Sequence, residues 1–308
     1  MAETVQLALA QWQMRPLANF RALAAQARAL LNQADGADLV VFPETFTFSL
    51  LSAQSGWQQC TACDLTRVAQ YTDSYRDFFS TEASRRGQHI AAGSHLVLRG
   101  GRYFNVGHVF VPDGTMRTHA KTHIFPGEAE WLTAEGDDLA VWDFGFAKVG
   151  MMICYEAEIP ECATTLRDMG AEILICPSYT FSEYGFWRVR YSCHARAIEN
   201  QVYVAHCCTA GSPGGPVPPG FGRSSVLTPC DVPWNAEGVA VEAEANVEGV
   251  VRALVSLDAL RANRDTGAAP THRDRRRHAE VYQRWAARAC HGESASGSPT
   301  GAASHVAP

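Results

Sequence analysis

Residues 149–161 read VGMMICYEAEIPE, an apolar run that stops at a cysteine and turns acidic within two residues. A short apolar run bounded in this way fits a buried strand, and Cys154 closes it. At such a junction a side chain can emerge from the packed sheet. The backbone amides that follow can lower a thiol's pKa or receive an oxyanion. The bland alternative, a small buried apolar residue, is the fate of most free cysteines and on this segment alone weighs more.

Outward from this segment the pattern repeats. Downstream, the spacing predicts a helix over 160–169, a strand over 172–176, a helix over 186–199 and a strand over 201–207. Upstream it predicts strands at 140–144, 103–111 and 89–98, a helix over 74–86 and a short buried strand in DLVVF at 38–42. Phe20, Leu23, Ala27, Leu30 and Leu31 share one face of a helix over 19–33, with Asn19 available as its N-cap. The opening MAETVQLALAQW alternates polar and apolar residues and reads as a first strand rather than a signal peptide. Alternation of strands and helices predicts a layered α/β fold. The Gly- and Pro-rich stretch 211–222 is loop, strands resume at 224–227 and 249–256, and THRDRRRH at 271–278 reads as the solvated start of a last helix. Residues 1–290 are expected to form one domain, and 291–308, rich in Ser, Gly and Ala, a disordered tail.

With 308 residues and 46% hydrophobic content the chain can bury a sizeable core. The net charge of -6 offers no basic face, so nucleic acid is not an expected partner. Nor does any apolar run reach the roughly 20 residues that span a bilayer. Several of the ten cysteines lie in apolar strand-like runs rather than in a disulfide framework, and a reducing cytoplasm is the expected setting. Cys60 and Cys63 have CxxC spacing, but no second pair follows at a zinc-finger distance.

A thiol that attacks an amide needs a base to take its proton and return it to the leaving amine. Glu44, in VVFPETF, lies at the end of a buried strand, where solvation does not account for an acid; capping of the next segment does so equally. Lys121, in HAKTHIFPGE, offers a fixed positive charge that would stabilise an oxyanion and hold Cys154 as thiolate, or it snorkels to solvent. His95, His108, His119 and His123 cluster in sequence near this lysine. Beyond the cysteine, Tyr179, Phe181, Tyr184, Phe186 and Trp187 could wall an acyl pocket or pack a core or interface, and Arg188 and Arg190 could bind a carboxylate or form structural ion pairs.

In order and local sequence, VVFPETF, KTHIFPGE and GMMICYEAEIPE resemble the glutamate, lysine and cysteine motifs of the nitrilase superfamily of carbon-nitrogen hydrolases. GSHLV, GRYFNV, VFVPDG and ARAIENQVYV resemble its connecting segments. The resemblance implies a four-layer α-β-β-α sandwich that pairs into homodimers or larger homo-oligomers through its outer helices, with no cofactor or metal. It implies Glu44 as general base, Lys121 as oxyanion stabiliser and Cys154 as nucleophile. A second glutamate that orients the substrate falls on Glu128, with Glu130 its rival, and the amide of Tyr155 completes the oxyanion hole. Tyr179 is a candidate substrate contact. Because Cys154 is followed by Tyr155, Glu156 and then Pro160 and Glu161, the resemblance is to the amidase side rather than to nitrilases. The expected reaction is hydrolysis of a small non-peptide amide or carbamoyl bond by water through a thioester. The competing readings are a nitrilase, an amide-forming acyltransferase, and a catalytically silent binding scaffold.

Overall fold

In this computed structural model, which describes residues 3–290, strand β1 (Thr4–Met14) sets the organisation of the molecule. Its side chains alternate between two apolar cores: Val5, Leu7 and Leu9 belong to one, Ala8, Ala10 and Trp12 to the other. A strand buried on both faces needs a covering layer on each side. Helix α1 (Phe20–Gln33) supplies one, its first turn capped by Asn19, whose Oδ1 accepts from the amide of Ala22 at 3.0 Å.

The chain continues through β2 (Leu39–Val41), a run of 3₁₀ turns between Phe46 and Tyr71, and α2 (Thr72–Arg86). Four strands follow: β3 (His89–Arg99), β4 (Arg102–Phe110), β5 (Met116–Ala120) and the two-residue β6 (Thr133–Ala134). Next come β7 (Val141–Asp143), β8 (Lys148–Met151), α3 (Pro160–Asp168), β9 (Ile173–Ser178), α4 (Glu183–Asn200) and β10 (Tyr203–Gly211). The last elements are β11 (Ser225–Leu227), β12 (Val239–Glu242), β13 (Gly249–Ser256), α5 (Leu257–Thr266), α6 (Thr271–Arg277) and α7 (Ala279–Cys290).

The strands run β5-β4-β3-β2-β1-β10-β9-β8-β7, with β13 also paired to β1. Among the described residues, the two half-sheets are hydrogen-bonded to each other where Trp12–Met14 of β1 pair with Thr209–Gly211 of β10. About this join the halves fold face to face. A Cβ placed on Gly107 of β4 would lie 2.1 Å from the Met151 sulfur of β8, so the two faces touch directly. Leu23, Leu30, Tyr75 and Phe79 of α1 and α2 cover the outer face of the first half; Leu166, Val189 and Cys193 of α3 and α4 cover that of the second. The result is the expected four-layer α-β-β-α arrangement.

Local boundaries differ in instructive ways. Strand β8 stops at Met151, not Ile153; the amide of Met152 still donates to Ile175 at 2.9 Å before the chain turns away. The run 271–278 makes a short helix of its own, α6, from which Arg275 and Arg276 approach Asp168 at 3.8 and 3.9 Å. Helix α5, not expected from the sequence, buries only Leu257, Leu260 and Asn263. Segment 291–308 lies outside the described residues. Among those described, no helix is long and apolar enough to cross a membrane.

Pairing directions decide where the chemistry gathers. β1 is parallel to β2 and β10, β9 is parallel to β10 and β8, and two antiparallel steps return β5 to the sense of β3, itself parallel to β2. The segments bearing Glu44, Lys121, Cys154 and Tyr179 therefore all leave carboxyl ends of strands on one side of the sandwich, where open α/β sheets place their ligands.

Candidate active site

Cys154 has φ +50°, the left-handed region that costs a residue with a Cβ roughly 1–2 kcal/mol. Its turn is fastened by Glu156, which is fully buried. One oxygen of Glu156 accepts from the amide of Ile153 at 2.6 Å. The other accepts from the amide and hydroxyl of Thr122 at 2.7 and 2.6 Å, and His119 Nε2 lies 2.9 Å from the carboxylate. A single carboxylate thus ties the cysteine turn to the segment that follows β5 and carries Lys121. Sequence reading assigned Glu156 no role; an acid two residues past the thiol, in otherwise apolar surroundings, was the available signal.

Glu44 is 1% exposed and fully engaged. Its Oε1 accepts from Lys121 Nζ at 2.8 Å and Asn105 Nδ2 at 2.9 Å, and its Oε2 accepts from the amide of Tyr179 at 2.8 Å. The loop reaches this position because Gly93 lacks a side chain: a Cβ there would stand 1.8 Å from the Pro43 carbonyl oxygen. Thr209 secures the loop further by donating its hydroxyl to the Glu44 carbonyl at 2.8 Å. Lys121 also donates to Glu128 Oε1, while Asn105 Nδ2 lies 3.1 Å from Glu128 Oε2. Of the two candidate second glutamates, then, Glu128 joins the cluster and Glu130 is exposed. Asn105, overlooked in the β4 sequence, bridges both carboxylates.

One ammonium faces two carboxylates in a space closed to solvent. Burial opposes the charge on Lys121, but Glu128 and Glu44 outweigh it and hold the ammonium above the ordinary lysine range. Burial and then the charge of Glu44 raise Glu128 to about 7, against the pull of Lys121 and Asn105. Burial, with Glu44 next, pushes the Cys154 thiol well above the cysteine range; Lys121 acts in the opposite direction without prevailing. Lys121 draws the thiol down while its charge is shared between two acids. A thiol raised in this way calls for a base, and the charge of Glu44 acts on it.

Cys154 opens onto a cavity of about 210 Å³, lined also by Phe125, Glu158, Tyr179, Phe181 and Arg188. Its Sγ lies 3.8 Å from the Tyr179 carbonyl oxygen. The Tyr179 amide is spent on Glu44 and its hydroxyl on the Pro218 carbonyl, which leaves the ring as cavity wall. Tyr155 packs its ring against Phe125, centroids 5.8 Å apart. The remaining candidates separate: Phe186 is core, Tyr184 is 85% exposed, and buried Arg190 pairs with Glu242. His95 is held by Thr47 and Thr72, His108 by the Val106 carbonyl, and His123 by Thr122, and among the described residues no group of His, Cys, Asp and Glu is placed to hold a metal ion.

Comparison with known proteins adds a family to this geometry. The family model described as carbon-nitrogen hydrolase matches residues 5–262. The probable hydrolase YhcX of Bacillus subtilis is 33% identical over 287 residues, covering 90% of this chain and 54% of that protein, so the chain spans about half the length of that relative. The 2-oxoglutaramate amidase of the same bacterium is 27% identical over 230 residues, 72% of this chain and 79% of its own. Among solved structures, the amidase of Nesterenkonia AN1 superposes with a TM-score of 0.70 at 20% identity, over 92% of this chain and 97% of that one. Yeast Nit3, a nitrilase-superfamily member, gives 0.68 at 24% identity, over 85% and 93%. At these identities the structural likeness carries the fold alone.

Proposed function

This chain belongs to the carbon-nitrogen hydrolase family, and from that premise we propose that it hydrolyses a small non-peptide amide through a thioester on Cys154. The observation that carries this reading is the placement of the thiol, set at a left-handed turn facing a cavity and within reach of the charges of the Glu44 and Lys121 pair.

In this mechanism Glu44 takes the thiol proton as sulfur attacks the amide carbon. The developing oxyanion is met by the Lys121 ammonium and the backbone amide of Tyr155. Collapse breaks the carbon-nitrogen bond, and protonated Glu44 gives its proton to the departing ammonia or amine. Water, deprotonated by Glu44, then attacks the thioester, releasing the carboxylic acid and restoring the thiol. Asn105 and Glu128 hold Lys121 and Glu44 in register, and Glu128 is the second glutamate that orients the substrate. Tyr179 serves twice, its amide orienting Glu44 and its ring walling the acyl pocket. We also read residues 1–290 as one domain, cytoplasmic in setting and assembled as a homo-oligomer.

The test is ammonia release from small aliphatic amides and from the matching nitriles, with the Cys154→Ala protein as control. Amide turnover that disappears in the control, together with a covalent acyl mass on the wild type, is expected. Full activity of Cys154→Ala would end the thioester reading, and preferential consumption of the nitriles would replace it with a nitrilase.

A further inference from the structure

The cavity walls beside Cys154 are mainly aromatic or small, with two exceptions of opposite sign, Glu158 and Arg188. Arg188 Nε and Glu158 Oε2 are 3.5 Å apart, beyond the roughly 2.7–2.9 Å of a charge-assisted hydrogen bond. Neither side chain has a hydrogen-bond partner among the described residues. Glu158 is the more enclosed, its side chain 19% exposed against 55% for Arg188. A loose pair like this contrasts with neighbouring Arg190, which is buried and committed to Glu242.

We propose that Glu158 and Arg188 form a two-signed recognition element, and that the substrate is a small amide bearing both an ammonium and a carboxylate at the end remote from the scissile bond. This rests on the amidase reading above. The argument is electrostatic. A substrate with only a carboxylate would meet Arg188 but be repelled by Glu158; one with only an ammonium would meet the converse. A neutral chain would gain nothing from either charge. An amino-acid head satisfies both, exchanging one long contact for two short charge-assisted ones. The volume of about 210 Å³, below the roughly 300–1,000 Å³ of pockets for drug-sized ligands, suits a substrate of this size.

Four amides that share one carbon chain form the test: butyramide (neutral), γ-aminobutyramide (cation), glutaramic acid (anion) and glutamine (both charges). Glutamine is expected to show kcat/KM about tenfold or more above each of the others, the worth of one charge-assisted contact. In Glu158→Gln the preference is expected to pass to glutaramic acid, and in Arg188→Gln to γ-aminobutyramide, while Glu158→Asp and Arg188→Lys keep the wild-type order. These are gains for one substrate over another, which loss of folding does not mimic. Cys154-dependent hydrolysis that favours the neutral or a singly charged amide, or variants that leave the order unchanged, would overturn the proposal and leave the amidase reading intact. Failure to release ammonia from all four would overturn both.

Discussion

Lys121 and Glu82 each sit at the centre of an ionic cluster, and the two clusters are built to opposite charge balances. Glu82 on α2, its side chain 2% exposed, receives Arg28 and Arg86 at 2.9 Å and Arg85 at 2.6 Å. Burial opposes its charge, but three guanidinium groups overcome this and hold its carboxyl down at about 2. Lys121, one cation between Glu44 and Glu128, is the inverse, and there Glu128 is raised to about 7. The contrast separates two uses of buried charge. Excess cation around an acid fixes a proton's absence and stabilises the fold. Excess acid around a cation leaves one proton loosely owned, here on Glu128.

Removing the central charge should break the two clusters differently. Lys121→Met strips the ammonium from two enclosed carboxylates. It is expected to lower kcat/KM by about a hundredfold or more and to destabilise the fold by about 3–5 kcal/mol in urea titration. Adding Glu128→Gln should recover much of that stability without recovering turnover. Near-normal turnover in Lys121→Met would remove the ammonium from the mechanism altogether.

Glu156 sharpens the comparison because it belongs to neither cluster yet holds one of them in place. Glu156→Gln keeps the shape but turns an all-acceptor carboxylate into a group with only one acceptor oxygen for Ile153, Thr122 and His119. The Cys154 turn should then drift relative to Lys121. The expected result is a fall of about ten- to a hundredfold in kcat with KM little changed. A change confined to thermal stability would make the brace purely structural.

What was legible beforehand follows this division. Glu44, Lys121 and Cys154 each interrupt an apolar or extended run at a strand end, a position that suits a structural role too, and it is the resemblance of their three motifs, in order, to one family that singles them out; the strands themselves follow from buried Val- and Ile-rich runs such as DLVVF. Asn105 is hidden because a single Asn in RYFNVGHVF looks like any strand polar residue; only the facing of β4 on Glu44 and Glu128 gives it work. Glu128 and Glu130 share one 3₁₀ turn, and their separation into buried and exposed depends on which side of that turn meets Lys121. Gly93 and Gly107 were silent for the same reason, since each is required by a distant contact, the Pro43 carbonyl and the Met151 sulfur. Tyr179 was flagged as an aromatic wall, but its backbone, which orients Glu44 through its amide, leaves no trace in residue type.

Opposite pH responses give the next test. Glu128, raised in the folded state, keeps a proton that the unfolded chain gives up near its ordinary 4.5. Folding therefore binds protons between about 4.5 and about 7, and across that window this residue makes stability fall as pH rises. Glu128→Gln should flatten that slope in denaturation midpoints measured from pH ~5 to ~8, and an unchanged slope would place the titrating proton elsewhere.

The Glu82 cluster gives the smallest expected effect and the opposite sign. Its folded carboxyl, lowered from 4.5 to about 2, contributes stability that is complete above 4.5 and is lost as pH falls toward 2. Arg28 and Arg85 are 48% and 55% exposed, so solvent screens part of the interaction. Glu82→Gln is therefore expected to cost about 1–2 kcal/mol at neutral pH and almost nothing at pH ~2, with kcat/KM on amides unchanged. A loss of stability that persists at the lower pH would mean that packing of the side chain against α1, and not its charge, is what the three arginines were gathered to protect.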